Sequence, residues 1–190
     1  MSFDPDADAA HLRETLLSRE PVFDGRLLKV YQDTVRLPRG GEAGREIVHH
    51  RGAVAVVAVA PDGRVVLVRQ WRHAMERAVW EIPAGTRDEG EEPAVTARRE
   101  LAEETGYTAA SWSSLGEAAV SPGYSQETIW FFRAEGLTAG QASADTDETL
   151  DVRLFSGDEV LQLVRAGATD MKTLAGLSLA GRLPALEGVR

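Results

Sequence analysis

The 190-residue chain contains no cysteine. Disulfides, thiolate metal sites and cysteine nucleophiles are therefore excluded. No apolar run reaches the roughly 20 residues that an α-helix needs to cross a bilayer. The opening MSFDPDADAAHLRET has neither the basic nor the apolar segment that marks export, so a cytoplasmic protein is expected. Positive charge is scarce: 21 lysines and arginines stand against 30 aspartates and glutamates, a formal net charge of −9. That balance argues against a nucleic-acid surface or an anionic membrane as partner. A phosphorylated ligand would have to be held by local arginines or by a cation. Internal repeats and low-complexity linkers are also lacking.

What remains is ordinary globular material, 43% hydrophobic and 27% charged, long enough for one domain with a sizeable core. Residues 1–18 are acidic and alanine-rich, a tail or short helix. Extended segments follow at about 22–24 and 27–37, and a further strand begins at Glu46 after the turn-rich PRGGEAG. AVAVVAVA at 53–60, the turn PDG and then RVVLVRQW predict a hairpin of buried strands over 53–70. AVWEIPAG is another strand, ending at Pro83 and Gly85. Pro93 suits a first helical position and Gly106 a stop, which predicts a helix over 93–105. Strands at 109–118, 127–134 and 149–155 come next. They precede a helix with Ser156 and Glu159 as its capping box and Gly167 at its end. A last helix covers about 171–181. The reading is a mixed sheet with few helices, arranged as an N-terminal tail and strands over 1–45 and a larger domain over 46–190.

The segment GTRDEGEEPAVTARRELAEETGY, residues 85–107, holds seven acidic residues. On a helix over 93–105, Glu100, Glu103 and Glu104 fall at i, i+3 and i+4 and share one face. Ala94, Ala97 and Leu101 cluster on another, suited to close packing on a sheet. Like charges this near repel and destabilise a helix. Arg99 can pair with Glu103 one turn on, yet it cannot neutralise all three. The face is either simply solvated or a device for holding a divalent cation. Oxygen-only ligands favour a hard ion such as Mg²⁺ or Mn²⁺.

The full spacing adds to this. Gly85, five residues, Glu91, seven residues, Arg99-Glu100-Leu101, one residue, Glu103-Glu104, one residue and Gly106 fill the fixed positions of the Nudix box. Tyr107 stands where an aliphatic residue is usual. The chain thus resembles the Nudix hydrolases. The resemblance implies an α/β (α+β) fold, an α/β/α sandwich with a mixed central sheet, here with an N-terminal β-hairpin element. It implies hydrolysis of a nucleoside diphosphate linked to another moiety, with Mg²⁺ or Mn²⁺, two or three ions per site. Glu100 and Glu104 would be metal ligands, Glu103 a third ligand or water activator, and Ala84 would offer a backbone carbonyl. Arg99 would orient the glutamates with Glu91 as its partner, and Gly85 would permit the tight loop.

Outside the box, SPGYS, with Pro122 16 positions past Gly106, and RQWRHAMERAVWEIPAG at 69–85 resemble the ADP-ribose pyrophosphatase branch. That implies cleavage of ADP-ribose to AMP and ribose 5-phosphate. Another nucleotide sugar such as GDP-mannose is the alternative substrate, and a non-catalytic nucleotide-sensing module is a third reading. Arg51 and Arg72 are candidate phosphate clamps, or surface arginines at strand ends. Glu81 is a candidate to bind substrate or to brace Arg99. Trp71, Trp80 and Trp130 read as core or interface residues, and His49 and His50 receive no role. In ADTDETLDVRLF, residues 144–155, the branch's mobile acidic loop makes Glu148 the candidate general base and a further metal ligand, with Asp147 second. The branch commonly forms homodimers that exchange N-terminal strands. Leu27, Leu28 and Tyr31 would then contact adenine or the partner, unless the hairpin only covers its own sheet.

Overall fold

Every side chain from Val54 to Ala58 is shielded from solvent. Successive strand residues point to opposite faces, so a strand covered on all of them lies inside a layered structure. The computed structural model describes residues 9–142 and 149–183 and divides into two compact units. The first comprises residues up to His50 together with Ala119–Glu127, and the second Arg51–Ala118 together with Thr128 onward.

The N-terminal unit is an antiparallel meander of β1 (Thr15–Asp24), β2 (Lys29–Arg36) and β3 (Glu42–His49). Residues 9–12 form a single 3₁₀ turn. The strand then starts at Thr15, earlier than the expected 22, because Thr15 to Glu20 pair with Arg36 to Gln32. Arg19 secures this register with a two-pronged contact to the buried Asp33, at 2.7 Å for each bond. A carboxylate removed from water needs such a partner. No alternation of apolar residues in TLLSRE advertises it. The segment 119–127 docks on β3: Val48 N–H donates to the Tyr124 carbonyl at 2.7 Å, and Gln126 N–H to the Val48 carbonyl at 3.0 Å.

The second unit contains β4 (Ala53–Ala58), β5 (Val65–Arg72), β6 (Arg77–Glu81), β7 (Ala84–Thr86), α1 (Pro93–Thr105), β8 (Tyr107–Ala119), β9 (Thr128–Ala139), β10 (Asp151–Phe155), α2 (Gly157–Arg165) and α3 (Met171–Leu179). Its sheets run β7-β4-β9-β8 and β10-β5-β6. The expected 53–70 hairpin is therefore corrected. β4 pairs antiparallel with β7 and parallel with β9, β5 pairs with β6 and β10, and only the bridge Val59–Val65 joins the two runs. Val65 to Val68 of β5 are buried as completely as β4, and the two runs feed the same two cores while each pairs with other strands. Each valine covered in this way contributes about 1.5–3 kcal/mol.

β4 serves both cores. Ala55 and Val57 join Leu67, Ile82, Phe131, Phe155, Val160 and Leu177 on one face, while Val54 and Val56 join Val66, Ala97, Leu101 and Phe132 on the other. α1 thus lies on one face of the mixed sheet and α3 on the opposite one, the α/β/α arrangement. Glycine lets α3 approach closely: a Cβ at Gly176 would come within 2.7 Å of Ile82 Cδ1. The helix ends follow the sequence. Pro93 opens α1, Gly106 closes it with φ 72°, and the Ser156–Glu159 capping box is formed in both directions.

Candidate active site

The acidic face of α1 is organised by Arg99. Its Nη1 donates to Glu100 Oε1 at 2.8 Å and to Glu103 Oε2 at 2.9 Å, while Nε and Nη2 reach Glu91 Oε1 and Oε2 at 3.3 and 3.1 Å. One guanidinium therefore ties two carboxylates of the helix to a third in the preceding loop. These contacts, led by the Glu91 bond, hold the Arg99 proton more tightly than usual, against the opposing effect of burial. In return the Arg99 hydrogen bond pulls the Glu91 carboxyl from an ordinary 4.5 down to about 2, with burial opposing it.

The other acidic residues are fixed against β7. Buried Glu104 accepts the Ala84 N–H at 3.0 Å. Gly85 seats Glu100: a Cβ there would stand 2.0 Å from the Glu100 carboxyl carbon, so no larger residue leaves this carboxylate in place. Gly85, Glu91, Arg99, Glu100, Glu103 and Glu104 thus form one constellation. Its carboxylates offer only oxygen donors, and one of them rests in a cradle shaped around it, which fits a hard divalent cation in chemistry. Among the described residues, no three Asp, Glu or His side chains are gathered into a metal-holding arrangement. Arg99 occupies the Glu100 and Glu103 oxygens named above.

Residues 49–175 match the NUDIX domain, and residues 14–48 match the nucleoside diphosphate sugar hydrolase N-terminal domain. The chain belongs to the Nudix family. It is similar to an ADP-ribose pyrophosphatase of Bacillus subtilis (strain 168), 41% identical over 82% of this chain and 85% of that protein. It is also similar to a methanol dehydrogenase activator of Bacillus methanolicus, 42% identical over 80% and 83% of the two chains. An ADP-ribose pyrophosphatase of Mycobacterium tuberculosis is 42% identical over 74% and 68%. The crystal structure of an ADP compounds hydrolase superposes with a TM-score of 0.78 at 23% identity, covering 89% of this chain and 92% of the other, a likeness of fold. Family members generally depend on divalent metal ions.

A second charged cluster in this Nudix unit involves Arg72 and Glu81. Arg72 Nε and Nη2 donate to Glu81 Oε1 and Oε2 at 2.8 and 2.5 Å. Lys172 of α3 also bonds Glu81 Oε2, and reaches Asp170 Oδ2 at 2.5 Å. Glu81 therefore braces Arg72 and Lys172, which corrects the expectation of Arg99 as its partner. Burial works to raise the Glu81 carboxyl, but the Arg72 bond and the charge of Lys172 outweigh it, and the net direction is down.

The other expected residues belong to several segments of the chain. Arg51 is exposed just before β4. Exposed Leu27, in the β1–β2 turn, and exposed Pro122 belong to the N-terminal unit. Glu148 and Asp147 lie outside the described residues. Trp71 is exposed rather than part of the core, whereas Trp80 packs edge-on against Phe155 at 4.8 Å. Tyr107, the departure from the box, is accommodated because its ring packs against the α1-side core. The sequence reading missed Lys172 and Arg87. Arg87 bonds the Glu91 carbonyl and lies 4.6 Å over the Trp130 ring, so it supports the loop that Arg99 holds. The Pro93 helix signal did not point to it, and nothing local links Lys172 to a residue 91 positions earlier.

Two outcomes follow from this geometry. Gly85→Ala should displace the Glu100 carboxylate and lower kcat roughly 10²-fold, the scale of a misplaced reacting group. The circular dichroism spectrum should be unchanged, and a normal kcat would show that the cradle has no role. Because the folded Glu91 pKa is depressed, its stabilisation is full above the ordinary 4.5 and is lost as pH falls through about 2. The stability gap between wild type and Glu91→Gln, measured by urea unfolding, should be constant above that window and shrink within it. A gap independent of pH would contradict the assigned pairing.

Proposed function

We propose that this Nudix enzyme hydrolyses the pyrophosphate of ADP-ribose, giving AMP and ribose 5-phosphate. The observation that carries the reading is the Arg99-centred constellation, with Glu100 seated on Gly85 and Glu104 on the Ala84 N–H. The names of the similar proteins supply the substrate class. In the reaction, a water oxygen forms a bond to one phosphorus and the bridging P–O bond breaks. The water's protons pass to a base and to solvent.

Glu100, Glu103, Glu104 and the Ala84 carbonyl would hold Mg²⁺ or Mn²⁺, in two or three sites. Such ions neutralise the pyrophosphate and lower the pKa of the attacking water. Arg99 keeps the carboxylates separated and aimed, and Glu91 keeps Arg99 in place. Arg72 and Arg51 are the proposed phosphate clamps, and Pro122 and Leu27 the proposed contributors to recognition of the rest of the substrate. Glu148 is the proposed general base, with Glu103 as the alternative.

One assay tests this reading. With Mg²⁺, ADP-ribose should show a larger kcat/KM than GDP-mannose, dinucleoside polyphosphates or NADH, and excess EDTA should abolish turnover. Glu148→Gln should lower kcat roughly 10²–10⁴-fold, the usual share of a general base. Preference for GDP-mannose would give the enzyme to the second reading, turnover in EDTA would remove the metals, and a normal Glu148→Gln would move the base to Glu103.

The N-terminal element, residues 1–45, is also proposed to build a homodimer by strand exchange. Leu16, Leu17, Val22, Phe23, Leu27 and Leu28 are exposed on or beside β1, and apolar surface of this extent marks an interaction site. Light scattering should give a mass near twice 20.6 kDa at micromolar concentration, and monomer alone would overturn the assembly. Among the described residues no helix is long and apolar enough to cross a membrane. Cytoplasmic residence completes the proposal, and recovery in a membrane fraction on cell fractionation would contradict it.

A further inference from the structure

Glu81 carries two cations where one would neutralise it. Its side chain is 4% exposed, and both of its oxygens are engaged by the Arg72 fork. Lys172 adds a second positive charge on Oε2, with Asp170 balancing it at 2.5 Å. The two cations are not equivalent. Lys172 is 14% exposed and enclosed between carboxylates, whereas Arg72 is 42% exposed and faces outward.

The position of Lys172 is fixed by the backbone. The segment leading into α3 runs along β6 on either side of Glu81. Trp80 N–H donates to the Ala168 carbonyl at 2.9 Å, and Thr169 Oγ1 donates to the Trp80 carbonyl at 2.6 Å. Ile82 N–H donates to Thr173 Oγ1 at 2.9 Å, and Thr173 N–H to the capping Asp170 at 3.0 Å. The residue type also matters. Of 21 basic residues only Lys29 and Lys172 are lysine, so a chain that otherwise uses arginine has the compact point charge where space between two carboxylates is small.

We propose that Lys172 is a positioning residue for substrate: held in place by Asp170, it gives the buried Glu81 a second cation, so that Arg72 is presented to an anionic group of the substrate. A guanidinium whose only counter-ion were a buried carboxylate could not turn to a phosphate without leaving that carboxylate uncompensated. Lys172 removes the obstacle, since Glu81 keeps a cation when Arg72 shares its charge with the ligand. The proposal rests on the reading of Arg72 as a phosphate clamp, and it adds α3 to the binding machinery of the β5–β6 hairpin. Glu104 lies close enough to act electrostatically on Arg72, so the clamp and the acidic face of α1 belong to one field.

The test is a mutant cycle in the full chain with Mg²⁺ and ADP-ribose. Steady-state kinetics are read beside calorimetric binding of the analogue whose bridging oxygen is replaced by CH₂. Lys172→Met should raise KM and the analogue Kd roughly tenfold, the scale of one disturbed charge-assisted contact, with kcat within about twofold. In a Glu81→Gln background the same substitution should have less than about a twofold effect, because the charge it served is gone. Asp170→Asn keeps an N-capping oxygen while loosening Lys172, and should raise KM about threefold; it decides the matter if Lys172→Met does not fold. Lower thermal stability with wild-type KM and Kd in both variants would reduce the network to a fastening for α3 and overturn the proposal. Arg72→Ala separates the two readings. If it raises KM while Lys172→Met does not, only the role of Lys172 fails. If Arg72→Ala leaves KM and Kd unchanged, the clamp itself fails, and the role of Lys172 with it.

Discussion

The acidic face of this Nudix helix exists because one guanidinium sits among carboxylates that would otherwise drive one another apart. Two unit charges about 4 Å apart interact by roughly 4 kcal/mol near a protein surface, so a cluster of glutamates without a cation would distort or unwind its helix. Arg99 meets this with a planar fork that reaches Glu91, Glu100 and Glu103 at once. A lysine, with one rotating point charge, could not hold all three in fixed directions. The loop before the helix and the helix itself become one body through this contact.

The fixed array then needs a rigid floor, and small residues provide it. Ala97 and Leu101 press α1 onto the covered face of β4, which brings the helix near β7. Gly85 and the Ala84 N–H receive Glu100 and Glu104 there. On the opposite face of β4, Gly176 allows α3 a close approach, and α3 carries Lys172 to Glu81. The same strand therefore sets the height of both charged clusters, one from each side. Burial of valines on β4 and orientation of carboxylates around it are two results of the same packing.

Much of this was legible in the chain. The i, i+3, i+4 spacing of Glu100, Glu103 and Glu104, Pro93 and Gly106 at the helix ends, and Ser156 with Glu159 are local signals, and local signals survive into the fold. That Arg99 would have Glu91 as its partner was implied by the resemblance to the Nudix box, and the two are bonded. What was not legible depends on distant pairing. AVAVVAVA and RVVLVRQW look like two arms of a hairpin, but the first pairs with β7 and β9 and the second with β6 and β10. The early start of β1 rests on Arg19 finding Asp33, and the surroundings of Glu81 on a lysine in the last helix. Periodicity within a segment carries no trace of either.

The parallel pairing of β4 with β9 also sets an order of events during synthesis. Ala53 must wait for Ile129 before its sheet can be completed, and Glu81 waits a further stretch for a lysine 91 residues downstream. A ribosome-bound chain that has released only the segment through α1 already displays the acidic helix and the apolar β4. It lacks the neighbouring strand and the helix that cover the other face. Contacts of such long sequence separation form late and leave sticky surface exposed meanwhile.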